Sequence, residues 1–213
     1  MSIMQIIAIA AAAFCLCGLF VHFIHIVRLG KPNDMSEKSG DTTKGIVYAN
    51  TTAMLPQNKE SAYLHIPGYA AGMLFHIGTF LCLLIFLLSL FPFFNRWIEG
   101  SMLRFIIAAA LAVTCVCGYL LLIRRAVSKD LKGLSNPDDY ISNALTSTFQ
   151  LFTIFYLIWP ACGCSVTLYY IACALLFIYM PFGKLRHLVY YFAARYHLGF
   201  FYGWRNVWPK HED

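Results

Sequence analysis

Charged residues are scarce in this sequence. Only 12% of its 213 residues are Asp, Glu, Lys or Arg, whereas about 25% is usual for a soluble domain. Hydrophobic residues make up 60% of the chain, and the mean hydropathy is +0.64. A soluble fold has no way to cover that much apolar surface, so the composition predicts an integral membrane protein.

The first apolar run has no basic residues ahead of it. A secretory signal peptide begins with basic residues, continues with a short apolar core and ends at a cleavage site. Here the run is long, extending from residue 3 to residue 27. We therefore expect a retained transmembrane helix at this position.

The cysteines lack the spacing of a disulfide framework or of an iron–sulfur cluster. Most of the eight lie inside apolar runs, where they are expected to pack as small residues. Only one residue separates Cys162 from Cys164, so a bond between these two would be strained.

Motifs of enzymes that act alone are absent as well. The sequence contains no phosphate-binding loop, no zinc-ligand spacing and no Ser-His-Asp pattern. Its net charge of +6 does not require a nucleic-acid partner, because in a membrane protein such a charge mostly reports topology and contact with anionic lipid. These absences favour a subunit or a membrane protein without substrate chemistry of its own.

Five apolar runs predict an all-α membrane protein. Crossing about 30 Å of hydrocarbon takes about 20 helical residues, and helices satisfy their own backbone groups in lipid. We expect one domain over residues 1–213, consisting of a five-helix transmembrane bundle and a tail over residues 183–213. The expected helices are residues 3–27, 69–91, 103–123, 144–159 and 166–182.

The fourth run is short and partly polar. Its Thr146, Ser147, Thr148 and Gln150 indicate a face turned toward other helices. The Asp138–Asp139 pair ahead of the run is expected to stabilise a helix start, where negative charge is favourable.

Basic residues indicate the orientation. Fourteen of the sixteen Lys and Arg residues fall in the segments after the first and third helices and in the tail. Only Arg96 and Arg104 fall on the other side. The positive-inside rule then predicts an N-terminus outside and a C-terminus in the cytoplasm.

The histidines all fall on the predicted cytoplasmic half. His22 and His25 lie at the inner end of the first run, and His76 lies in the inner part of the second, about 24 Å from the outer end of the second helix. Ionisable residues inside the membrane are costly and usually face a partner or a cofactor. A histidine that packs through a hydrogen bond is the alternative. His187 ends the fifth helix at similar depth, so the two imidazoles could clamp one haem iron.

Three motifs resemble the gamma-subunit family of respiratory nitrate reductase. They are LFHIG in the second helix, SNPDDYISN before the fourth and PFGKLRHLVYYFAARY after the fifth. The loop between the first two helices is most similar to the branch found in heterodisulfide-reductase-like and sulfite-reduction-associated complexes. This resemblance implies a five-helix b-type cytochrome that passes electrons between quinone and iron–sulfur subunits.

The resemblance also implies specific haem ligands. His76 and His187 match the family's pair that clamps the haem nearer the cytoplasm. The family's other two histidine positions fall on Phe86 and Tyr169, so the resemblance implies one haem b and leaves a second open. A second haem, or a quinone site, would draw on His22, His25, His65 and His197.

Further site residues follow from the same expectation. Haem propionates would meet basic side chains at the inner ends of the helices, and a quinone needs a hydrogen-bond donor beside an apolar slot. Each of these residues also has an ordinary interpretation as part of the interfacial belt. The propionate candidates are Arg28, Arg124, Lys184 and Arg186, and the quinone candidates are Tyr69 and, on the outer side, Arg104 and Glu99.

The sequence thus predicts a subunit of a quinone-linked oxidoreductase in the cytoplasmic (inner) membrane of a bacterium or archaeon. It would transfer electrons between menaquinone or ubiquinone and a cytoplasmic iron–sulfur protein that is heterodisulfide-reductase-like or nitrate-reductase-beta-like. The alternative is a non-redox membrane protein, either a small transporter or a scaffold subunit. Transporters often show internal repeats and broken helices, and no repeat is visible here.

Overall fold

The computed structural model describes residues 2–30, 33–59, 62 and 64–209, and these residues form helices and turns without a strand. We number the helices in chain order. They are α1 Ile3–Arg28, α2 Thr42–Asn50, α3 Ile66–Ser89, α4 Pro92–Gly100, α5 Leu103–Val127, α6 Lys129–Gly133, α7 Pro137–Ile158, α8 Gly163–Tyr179 and α9 His187–Trp204.

Within this described part, four helices are long and apolar enough to cross a membrane. They are α1, α3, α5 and α7. A fifth span is added if α8 and the helical segment Lys184–Trp204, which are separated by a short break, count as one. The predicted all-helical membrane class is confirmed, with four to five spans.

Helix α7 begins seven residues before the predicted start at residue 144. The Asn136 side chain accepts a hydrogen bond from the Asp139 N–H, and the Asp139 carboxylate accepts one from the Asn136 N–H. This reciprocal pair satisfies two N–H groups that a helix start leaves open, and Pro137 follows as the first helical residue. The expected role of the acidic pair at a helix start is confirmed. Hydropathy missed the first two turns because they are polar.

Four helices have no counterpart among the predicted spans: α2, α4, α6 and α9. The first three are short, with nine, nine and five residues, so they leave little trace in a hydropathy profile. Helix α9 has 18 residues and occupies much of the segment predicted as a tail. Residues 210–213 of that segment lie outside the described residues.

The chain divides into two compact units. The first contains Met1–Leu16 and Pro67–Leu185, and the second contains Cys17–Ile66 and Arg186–Asp213. The predicted single domain therefore contains two units that share α1.

In the first unit, one buried amide joins three membrane helices. The Gln150 side chain of α7 accepts a hydrogen bond from the Thr114 hydroxyl of α5 at 3.0 Å. Its Nε2 donates to the Thr79 hydroxyl and to the Phe75 carbonyl of α3, both at 2.9 Å. Hydrogen bonds of this kind hold helices together in lipid, where water cannot replace them. Gln150 is fully buried, as the polar pattern of this run predicted.

Gly78 lies where α3 packs closely against α5. A Cβ added at Gly78 would lie 2.5 Å from the Cβ of Thr114, a distance that real Cβ atoms essentially never show. The two helices can approach this closely because Gly78 has no side chain.

In the second unit, α2 packs against α9 through glycine. A Cβ at Gly199 would lie 2.5 Å from the Ile46 Cα and 2.8 Å from the Gly45 carbonyl oxygen. The contact is therefore backbone on backbone. Near it, the Arg195 guanidinium donates to the Ala49 carbonyl, the last but one residue of α2.

An ion pair closes the second unit. The Arg205 guanidinium donates to both carboxylate oxygens of Asp34. This hydrogen bonding, together with bonds from the N–H and hydroxyl of Ser36, lowers the pKa of Asp34 to about 2. Asp34 therefore keeps its negative charge, and the pairing holds the segment before α2 against the end of α9.

Candidate functional site

His76 lies in α3, with an exposed side chain. Its Nδ1 is 2.8 Å from the Gly72 carbonyl oxygen one turn earlier. A carbonyl can only accept a hydrogen bond, so Nδ1 carries the proton and the lone pair of the neutral ring sits on Nε2. Histidines that bind haem iron through Nε2 commonly have this tautomer. Their Nδ1–H then donates a hydrogen bond to a group such as a carbonyl, which orients the ring.

The backbone beside His76 has room for a flat ligand. A Cβ at Gly72 would meet nothing within 4 Å among the described residues. The space beside Gly78, which is also near His76, is instead filled by the Thr114 side chain. Of the two glycines, only Gly72 therefore offers a close approach to the α3 backbone on an open face.

His187 is the first residue of α9, and its side chain is exposed. It belongs to the second unit, whereas His76 belongs to the first. Coordination of one iron by both residues stays a prediction.

Rings fill the two positions at which the family carries its other histidines. Phe86 is 2% exposed, and its ring centroid lies 4.9 Å from that of Phe177. Tyr169 is fully buried and stacks on Tyr156 at 4.5 Å with an interplanar angle of 9°. Both positions therefore lie in the packed core of the first unit.

The other four candidate histidines, His22, His25, His65 and His197, all belong to the second unit. The His22 Nδ1 and the Tyr190 hydroxyl are 3.0 Å apart, and His197 contacts the Tyr196 ring edge-on. His25 and His65 are exposed. In the described ranges, no group of three or more His, Cys, Asp or Glu residues could hold a metal ion. A haem iron needs only two protein ligands, so this leaves the axial pair open.

The four propionate candidates differ in their contacts. The Lys184 ammonium forms an ion pair with the Asp139 carboxylate at 2.7 Å, at the start of α7. A Cβ at Gly68 would lie 2.5 Å from Nη1 of Arg124, so this guanidinium covers the start of α3. Arg28 is exposed at the end of α1, and the Arg186 guanidinium lies 5.9 Å from the Tyr190 ring centroid.

Two of the quinone candidates, Tyr69 and Arg104, lie at opposite ends of the first unit. Tyr69 is half-buried near the start of α3. Arg104 lies at the start of α5, where its Nη1 donates to the Ile98 carbonyl at 3.2 Å and its guanidinium lies 4.7 Å from the Phe105 ring centroid.

A cavity at the Arg104 end is lined in part by polar side chains. It has a volume of about 220 Å³ and lies where α1 and α8 begin and α7 ends. The Tyr156 hydroxyl donates to the Asn95 side chain at 2.6 Å, and the Asn95 and Gln5 amides donate to the Ser89 carbonyl. The lining residues are Ser2, Gln5, Asn95, Ile98, Glu99, Tyr156, Pro160, Val166 and Tyr170.

Sequence patterns gave little signal for this cavity. Its residues come from four separate segments, and no spacing rule connects them. Only Glu99 had been singled out, as an outer charged residue. The short helix α4 supplies three of the lining residues. They are Asn95, Ile98 and Glu99, so α4 contributes two of the cavity's polar side chains.

Comparison of the chain with models of known protein families, with characterised proteins and with solved structures finds no match. The resemblance to the nitrate reductase gamma-subunit family therefore rests on the motifs of the sequence.

Proposed function

We propose that this chain is the haem b-containing membrane subunit of a quinone-linked oxidoreductase. The observation that carries the proposal is the 2.8 Å contact between the His76 Nδ1 and the Gly72 carbonyl. It orients an imidazole on a membrane helix and directs its Nε2 lone pair away from the helix backbone. Haem b would supply a one-electron redox centre at this position.

The position of His76 along α3 supports the same role. At 1.5 Å per residue, His76 lies about 15 Å from the start of the helix at Ile66 and about 20 Å from its end at Ser89. That is deep within a helix long enough to span the membrane. Burying an imidazole there is costly unless a ligand compensates it.

The cavity at the Arg104 end supports a quinone site within the proposed function. A quinone headgroup carries two carbonyl oxygens, which accept hydrogen bonds when oxidised and donate them when reduced. The cavity lining offers amide, phenol and carboxylate groups from Gln5, Asn95, Tyr156 and Glu99. Tyr69 remains the candidate donor for a menaquinone or ubiquinone at the other end of the unit.

The partner is proposed to be an iron–sulfur protein on the cytoplasmic side. No cysteine spacing in this chain suits such a cluster, so the next electron carrier must lie in another chain. We propose that it docks on residues 30–65, on residues 126–142 and on the segment after α8.

An absorbance spectrum of the detergent-purified chain tests the proposed function. We expect a reduced-minus-oxidised difference spectrum of b type and one haem per chain, because only one axial pair of histidines is proposed. A colourless preparation, under conditions in which a known membrane cytochrome keeps its haem, would contradict the proposal. The non-redox class of membrane protein would then be favoured.

A reporter fused after Asp213 tests the proposed orientation. Because fourteen of sixteen basic residues fall on one side, we expect a cytoplasmic reporter to be active and a periplasmic one to be inactive. A fusion after Gly100, at the end of α4, serves as the matched control and should give the reverse result. The opposite pattern would overturn the orientation and the location of the partner together.

A further inference from the structure

Helix α9 has two different faces. On one, Gly199 and Gly203 are buried against α2. On the other, apolar side chains recur at helical spacing and are exposed. They are Tyr191, Leu198 and Phe201, with exposed fractions of 36%, 40% and 44%. We call these three residues the α9 stripe. Leu188 and Phe192 are also exposed, by 43% and 55%, on the first half of the helix.

The α9 stripe starts beside a membrane helix of the same unit. The hydrogen bond between His22 and Tyr190 ties the first turn of α9 to α1. His22 lies six residues before the end of α1, which is about 9 Å along the helix axis. The start of α9 therefore lies at the level of the last two turns of a helix that is apolar enough to span the membrane.

The surface of α1 at this level is also apolar. Val21, Phe23 and Val27 are exposed by 66%, 51% and 58%. Apolar side chains on a spanning helix meet lipid, so the α9 stripe adjoins a surface that is already suited to acyl chains.

The other residues of the second unit fit a boundary between lipid and water. Arg186 precedes α9, as expected for a helix whose start reaches phosphate groups, whereas Arg205 at the other end is paired with Asp34. Tyr190, Tyr202 and Trp204 add side chains of the kind enriched at membrane interfaces. Helix α2, on the glycine side of α9, exposes the polar residues Thr43 and Lys44.

We propose that α9 lies along the membrane surface, with the α9 stripe inserted among the acyl chains of phospholipids. The polar face of α2 then points toward water. Lipid is favoured over a protein as the cover, because the stripe adjoins the exposed apolar surface of α1 and Arg186 lies at the start of α9. The proposal concerns a surface and requires no haem.

Fluorescence quenching tests this proposal in the full chain. The exposed cysteines Cys17, Cys162 and Cys164 and the half-buried Cys117 are first replaced by serine, so that a single new cysteine can carry an environment-sensitive dye. Leu198→Cys places the dye on the α9 stripe, and Thr43→Cys places it on the exposed surface of α2 as the control. The labelled chains are placed in nanodiscs of phosphatidylcholine and phosphatidylglycerol, which leave both membrane faces open to added iodide.

We expect opposite quenching patterns at the two sites. The dye at residue 198 should have blue-shifted emission and be quenched several-fold more strongly by nitroxide lipid, labelled near the top of the acyl chain, than the dye at residue 43. Iodide should quench the dye at residue 43 more strongly. Equal iodide quenching at both sites would overturn the proposal, as would a dye at residue 198 that neither quencher reaches. The second outcome would mean that a protein surface covers the stripe.

A second labelled variant guards against a local effect of the substitution. Phe201→Cys lies one turn from Leu198 on the same stripe and should show the same pattern. If the two stripe positions disagree, α9 does not lie flat in the interface, and the proposal is wrong.

Discussion

Replacing His76 with alanine is expected to abolish the b-type absorbance of the purified protein. The variant removes the proposed axial nitrogen, and no other residue of the first unit was predicted as an iron ligand. His187→Ala should abolish the same signal, because a low-spin bis-histidine haem needs both ligands. The measurement is the reduced-minus-oxidised spectrum together with the haem content per chain.

The matched control is Ile77→Ala. This neighbour in α3 is exposed, so its truncation removes a similar volume without touching the proposed ligand. His76→Gly with added imidazole gives a further arm, in which the free ligand should restore part of the low-spin spectrum. A His76→Ala protein with a normal bis-histidine spectrum would show that the assignment is wrong. In that case His22, His25 or His65 must supply the ligand.

Substitutions at Phe86 and Tyr169 should leave the haem in place. Alanine is a poor choice at either position, since truncating a buried aromatic ring costs about 3–5 kcal/mol of stability and could remove the haem by unfolding the chain. Phe86→Leu and Tyr169→Phe keep most of the buried volume. Loss of haem in a folded Tyr169→Phe protein would contradict the assignment of a single haem to His76 and His187.

Gly199→Val is expected to cause a large loss of stability in the second unit. Its Cβ would lie 2.5 Å from the Ile46 Cα and 2.8 Å from the Gly45 carbonyl oxygen, and backbone atoms cannot rotate away. Overpacking of this kind costs about 1–3 kcal/mol, and more where the neighbours are rigid. We therefore expect about 3 kcal/mol or the separation of α2 from α9. Tryptophan fluorescence during denaturation measures it, because Trp204 and Trp208 lie in this unit.

Gly133→Ala is the control for that substitution. Its Cβ would meet nothing within 4 Å in the part of the chain that the structure describes, and alanine favours the helix. Its unfolding free energy should match or exceed that of the parent protein. Equal stability of Gly199→Val and Gly133→Ala would show that α2 and α9 do not pack through their glycines.

The fourth apolar run, now part of α7, shows what a local sequence pattern can and cannot predict. Its polar residues predicted a face turned toward other helices, and the burial of Gln150 confirms this. The run did not indicate which helices it would meet. Residues 114 and 79, which complete the amide's hydrogen bonds, lie 36 and 71 positions away along the chain. Hydropathy carries no signal for such partners, because an isolated threonine in an apolar run occurs in many packing arrangements.

By itself, the sequence determined the membrane class and the approximate spans. Hydropathy over about 20 residues is a local property, so a stretch of sequence is enough to reveal it. Only the tertiary structure decided that α9 is a helix packed on α2, that Phe86 and Tyr169 lie in a packed core, and that α4 lines a cavity at the outer end of the first unit. These features depend on backbone contacts and buried volumes between distant segments, and spacing along the chain does not encode them.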